Sequence, residues 1–171
     1  VHIEHLDSVE KYSEFVITKL NDYVETDHVL IFQYDGFILN PDAWTDEFLM
    51  YDYIGSPILI NDWAIRTFDL DPKTNGDWVV GNGGFCLRSK KLLSRLQSMD
   101  KAGEFVGYHA EDVVICIKKR SELESQGFTF APIELAEQFS FEYGTVDGRI
   151  AWTNEFGFHG LKWSDISAWL K

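Results

Sequence analysis

A chain of 171 residues with 28 acidic and 15 basic side chains has a formal charge of −13, which repels phosphate backbones and anionic lipid and so argues against nucleic-acid or membrane-surface binding. This length suits one domain (1–171) with a substantial core, the 45% hydrophobic and 15% aromatic content is that of a globular protein, and no window approaches the ~18 apolar residues of a transmembrane segment. Cys86 and Cys116 lie far apart without metal-ligand spacing, so they read as buried thiols of a reducing, cytoplasmic compartment, with any membrane association made through partners.

Val9, Tyr12, Phe15, Val16, Leu20 and Tyr23 recur at helical steps and predict an amphipathic helix from Ser8 to Val24, capped by Asp7 or Ser8. Val29–Phe32 follows as a short apolar strand of the kind buried on both faces of a mostly parallel sheet. Trp44, Phe48, Leu49 and Tyr51 suggest a short helix, and Tyr53–Gly55 a strand that Pro57 stops. Residues Asn61 to Asp77 are rich in polar, Gly and Pro signals and are expected to form a long loop over a site.

Trp78–Val80 resumes a strand, Gly81–Gly84 interrupts it, and Phe85–Leu87 continues it into a helix from Ser89 to about Met99. Glu111 to Leu123 is again helical in period, with Gly127 as its C-cap. Phe128–Ala131 reads as a strand closed by Pro132, and Ser164–Leu170 as a last helical turn or two. Alternating strands and helices predict an α/β domain.

Four segments could carry chemistry. Asp35 stands just past a strand end, where open α/β sheets bind ligands, although Asp-Gly is also a common turn pair. Gly81-Asn82-Gly83-Gly84 allows close backbone approach to a ligand, or a simple bulge. His109, Glu111 and Asp112 gather at a helix start, where acidic groups are favoured electrostatically and where one could act as a general base. His159, flanked by Phe-Gly-Phe and Gly160, is a packed histidine or a ligand for a Mn²⁺-like ion. Trp44, Trp63, Trp78 and Trp152 are candidate sugar-stacking platforms or core residues.

The order of these segments resembles the GT-A class of nucleotide-sugar glycosyltransferases. More specifically, Gln33–Phe37, Val80–Ser89, Glu111–Val113 and Phe156–Gly160 resemble a bacterial glycosyltransferase-like family with no assigned activity, over about Val29 to Gly160. The resemblance implies a Rossmann-like, mainly parallel sheet flanked by helices, and an inverting, metal-dependent transfer of a sugar from a nucleotide-sugar donor to a glycan or other hydroxyl acceptor. It implies Asp35 and His159 as ligands of Mn²⁺ or Mg²⁺, and Gly83 and Gly84 as the border of the sugar. Asp112, with Glu111 beside it, would supply the catalytic base.

Gln33 takes the place of the first aspartate of the DxD motif, which lowers metal affinity or alters the ribose contact. Only one helix precedes Val29, where such domains carry about two further βα units, and Val1 in place of Met suggests an excerpted chain that lacks part of the nucleotide-binding half. A non-catalytic sugar- or partner-binding remnant is therefore the alternative. A glycoside hydrolase pairing Glu111 or Asp112 with Glu142 or Asp147 is a third reading.

Overall fold

The computed structural model describes residues 2–105, 107–108 and 110–160, so His109 and the expected helix at Ser164–Leu170 lie outside the described residues. Helix α1 (Val9–Thr18) starts at Ser8, whose hydroxyl accepts from the Lys11 N–H at 3.2 Å, and a 3-10 turn at Leu20–Tyr23 completes the apolar stripe. Strand β1 (His28–Phe32) and strand β2 (Gly36–Ile38) are joined by the tight turn that holds Asp35. The short helix expected at residues 44–51 is a 3-10 turn, Asp46–Met50.

Strands β3 (Tyr53–Gly55) and β4 (Pro57–Leu59) follow almost end to end. Pro57 therefore opens a strand instead of closing one. Residues 61–77 are not a structureless loop: helix α2 (Asp62–Phe68) occupies their first half, capped by the Asn61 side chain and closed by Asp69 at φ 53°. Polar and glycine signals at both ends of this segment mark caps, which read the same in sequence as loop residues.

Strand β5 (Trp78–Val80) leads through the glycine run into β6 (Phe85–Ser89), and Ser89 caps helix α3 (Lys90–Lys101) by accepting from the Leu92 N–H. Helix α4 (Glu111–Val113) passes through a π-turn at Val114–Lys118 into α5 (Arg120–Ser125). Residues 128–131 contribute one parallel bridge, Tyr53 to Phe130, instead of a full strand. Helix α6 (Ile133–Phe139) and strands β7 (Ser140–Phe141) and β8 (Gly157–His159) complete the described fold, and none of the three was expected from the sequence.

The sheet topology corrects the expected mainly parallel, Rossmann-like sheet. Among the described residues there are three small, mostly antiparallel sheets: β1-β6-β3, β2-β8-β7 and β4-β5. Buried β6 runs antiparallel to both neighbours, pairing Leu87 with Leu30 on one side and with Ile54 on the other. Parallel pairing is confined to β7 against β8 and the Tyr53–Phe130 bridge. Alternation of apolar strands with helices fixes the element types but not strand direction, which here is set by long-range pairing.

The main core is aromatic. Phe48 meets Phe139 edge-on at 5.1 Å between ring centroids, and Phe156 packs against Phe85 at 6.0 Å, knitting α6, β6 and the approach to β8 together. Trp44 joins this group through edge contacts with Phe48 and Phe156. A separate small cluster of Ile60, Leu70 and Val113 lies where α2, β5 and α4 meet. Asp52, just before β3, ties the layers: its carboxylate accepts from Ser89 Oγ at 2.6 Å and from the Thr129 N–H at 2.9 Å.

Candidate active site

The β2-β8-β7 sheet places three titratable residues side by side. Gly36 pairs with His159 in the antiparallel register, so Asp35 comes off the end of β2 beside the imidazole. Phe141 pairs with Phe158 on the other side, which sets Glu142 next to the same ring. Alternation along β8 sends Phe158 into the core and His159 to the opposite face.

His159 Nδ1 lies 2.9 Å from Glu142 Oε1, and His159 Nε2 lies 3.3 Å from Asp35 Oδ1. The second approach is close without being a hydrogen bond. Asp35 Oδ1 and His159 Nε2 are both buried and have no hydrogen-bond partner among the described residues. Burial alone would lower the pKa of His159. The Glu142 hydrogen bond and the charges of Glu142, Asp35 and Asp112 outweigh burial and hold it above its ordinary value. Burial pushes the Glu142 carboxyl up, and His159 opposes that shift.

Asp35 sits in a turn closed by the Gly36 N–H donating to the Gln33 carbonyl at 3.0 Å. Gln33 in turn donates its N–H to the Gly84 carbonyl at 2.9 Å, which joins this turn to the glycine run. Asn82, at φ 61°, organises the run: its side chain donates to Ser56 Oγ at 2.7 Å and accepts from the Gly84 N–H at 2.8 Å. Tyr12, from α1, donates its hydroxyl to the Gly83 carbonyl at 3.3 Å.

The two glycines are required by what stands over them. A Cβ on Gly84 would lie 2.0 Å from His159 Nε2, and one on Gly83 would lie 2.0 Å from Glu111 Oε1. Asp112 completes the loop's surroundings, accepting from the Gly83 N–H at 3.0 Å and from the Val113 N–H at 2.8 Å. Glu111 Oε1, which stands over Gly83, also accepts from the fully buried Arg88 at 2.7 Å. Burial, reinforced by the charge of Asp112, pushes the Glu111 carboxyl up against the pull of Arg88.

These residues border a cavity of about 1100 Å³ lined by His159, Glu142, Asp112, Glu111, Gly83, Gly84 and Gln33 at its polar end, with Trp63 and Trp78 farther along its wall. Asp35, beside His159 Nε2, is not part of the lining. Asp147 hydrogen-bonds Thr145 in a neighbouring turn, also off the cavity wall. Trp152 donates to the Glu155 carbonyl and is likewise outside it. The residue whose role the sequence did not suggest is Glu142, as the group that orients His159. β7 is two residues long and leaves no periodic signal.

Among the described residues no group of three or more His, Cys, Asp or Glu is arranged to hold a metal ion by itself. Asp35 and His159 nevertheless suit an ion that takes only part of its shell from protein. Two adjacent ligands of an octahedral Mg²⁺ lie about 3 Å apart, and such ions keep waters and substrate phosphates as their remaining ligands. Glu142 on the far ring nitrogen is the usual orienting partner of a metal-binding histidine. The orphaned oxygen and nitrogen facing each other are what such an ion would satisfy.

No helix among the described residues is long and apolar enough to cross a membrane. No curated protein and no solved structure matches the chain. A family model described as a protein of unknown function (DUF5672) matches residues 1–159, and the chain belongs to that family.

Proposed function

We propose that this chain is a metal-dependent glycosyltransferase that moves a sugar from a nucleotide-sugar donor to an acceptor hydroxyl with inversion. One observation carries the reading: the orphaned Asp35–His159 pair stands beside a cavity whose lining, among the described residues, has neither lysine nor arginine. Among the described lining residues a diphosphate donor would meet the carboxylates Asp7, Glu111, Asp112 and Glu142, and a cation that came with it would offset their repulsion. The buried thiols Cys86 and Cys116 fit a reducing, cytoplasmic setting for this reaction.

Asp35 and His159 would hold the cation, Mn²⁺ or Mg²⁺, with Glu142 fixing the ring so that Nε2 presents its lone pair. When bound, the ion would supply the positive charge that offsets the departing nucleoside diphosphate. Gly83 and Gly84 would border the sugar, their missing Cβ atoms making room for the Glu111 and His159 side chains beside it. Asp112, held by the Gly83 and Val113 N–H groups, receives the proton of the acceptor hydroxyl as that oxygen attacks the anomeric carbon. The bond from that carbon to the diphosphate oxygen breaks, and the electron pair leaves with the nucleoside diphosphate. Glu111, paired with Arg88, holds the start of α4 and thereby Asp112.

Calorimetric titration with Mn²⁺ and a panel of nucleotide sugars tests the reading. Donor binding is expected only in the presence of the metal, and D112N is expected to keep that binding while transfer falls by about 10² or more. Binding of no donor with either ion present would refute the proposal. Donor binding with transfer unchanged in D112N would leave a binding module in its place.

A further inference from the structure

The cavity has a second end that the transfer chemistry does not use. Ile58, Leu59, Trp63, Phe68, Val113 and Ile117 line it, and Trp63 and Leu59 remain 62% and 43% exposed. Trp63 is held edge-on to Phe68 at 5.7 Å. Val113 follows Asp112 directly and packs in the small cluster with Ile60 and Leu70, so the apolar wall begins one residue from the proposed base.

Charge narrows what can lie between the two ends. Among the described residues Asp7, Glu111, Asp112 and Glu142 line the cavity and no Lys or Arg does. The nearest buried guanidinium, Arg88, is paired with Glu111, and Lys11 is paired with Asp7 at 2.9 Å on the surface. One bound divalent ion would be committed to the donor phosphates. An acceptor that brought a phosphate or carboxylate of its own would add negative charge beside Asp112 in a partly desolvated site where the described cations are already paired.

We infer that the acceptor is an uncharged molecule whose reacting hydroxyl is attached to an apolar group, and that this group lies against Trp63 and Leu59 while the hydroxyl faces Asp112. The word acceptor rests on the glycosyl-transfer reading. The binding preference does not, and it can be measured without any donor or turnover.

The experiment titrates the full chain calorimetrically with glucose, galactose and mannose, with their hexyl β-glycosides, and with hexyl β-glucuronide. At least one hexyl glycoside is expected to bind about ten-fold or more tightly than its parent sugar, because the chain removes apolar surface from water. The glucuronide is expected to bind about ten-fold more weakly than hexyl β-glucoside, with the gap narrowing in high salt. W63A should erase the gain from the alkyl chain while leaving Mn²⁺ affinity unchanged.

Failure of every hexyl glycoside to bind would overturn the inference, as would equal or tighter binding of the glucuronide or an unchanged preference in W63A. Displacement of the hexyl glycoside by uridine would also overturn it, assigning this end to a donor base. Failure of the catalytic reading would appear separately, as absent metal-dependent donor binding.

Discussion

Gly83 and Gly84 are neighbours in the chain, yet each is pressed against a different charged cluster. Gly83 lies under Glu111, which is paired with Arg88 in the protein interior, and Gly84 lies under His159, which stands between Asp35 and Glu142. In the first cluster the carboxylate meets a guanidinium that also stacks over Tyr53 at 5.0 Å. In the second, two atoms capable of binding a cation face each other with no hydrogen bond between them. The Arg88–Glu111 ion pair ties the loop to the interior, although Arg88 Nε and Nη1 also lack hydrogen-bond partners among the described residues; the Asp35–His159 pair lies beside the cavity, with His159 in its lining. One glycine loop thus has an architectural side and a chemical side.

The sharpest separation of the two sides comes from Arg88→Met. It leaves Glu111 in the interior without its partner, and breaking a buried pair in this way costs about 3–5 kcal/mol. The lower end applies, because burial already favours the protonated Glu111 carboxyl. The double variant R88M/E111M should recover most of the loss, since an apolar replacement of both partners is often neutral. Urea unfolding of the wild type and both variants reads the effect. A full loss in R88M that E111M does not relieve would mean that Arg88 serves something other than Glu111.

Alanine at each glycine gives a smaller and more discriminating pair of effects. Either substitution puts a methyl group 2.0 Å from a side-chain atom, and each should cost about 1–3 kcal/mol by overpacking. Only G84A displaces the imidazole, so only G84A should weaken Mn²⁺ binding, by about ten-fold or more. G83A should leave it within about three-fold. Equal losses of metal affinity in both variants would show that the loop responds as one unit and that the two-sided description fails.

The sequence made one half of this arrangement easier to read than the other. Asp35, Asp112 and His159 stand out in the sequence only together, through the order in which a strand end, a helix start and a late His-Gly resemble glycosyltransferase motifs; alone, each reads as a turn, a helix start or a packed histidine. That Glu111 would pair with Arg88 was not legible, because the two lie 23 positions apart and their contact depends on how β6 and α4 come together in the fold. Helix α6 was hidden by its seven-residue length, and α2 by capping residues that look like a loop. The expected parallel sheet failed for a related reason: β1, β3 and β6 were recognisable as strands, but their direction resides in pairings such as Leu30 with Leu87, not in any local pattern.

The smallest expected effect is a pH dependence in the His159 window; the raised Glu111 carboxyl on the other side acts with the same sign, but over the lower window it shares with Glu142. His159 has a pKa above its ordinary 6.5, so the native state holds its proton more firmly than the unfolded chain does. The stabilisation this provides is fully present below pH 6.5 and is lost as pH rises through the folded value. Glu142 is also raised, from 4.5, and acts with the same sign over a window that begins lower. Urea midpoints of the metal-free wild type should therefore fall as pH rises from 5 to 8.5. Glu142→Gln removes both the carboxyl and the hydrogen-bonded charge that raises His159, and should flatten that profile. R88M/E111M should keep the slope in the His159 window, because Asp35, Glu142 and His159 are untouched. A profile that E142Q leaves unaltered would move the pH response away from His159.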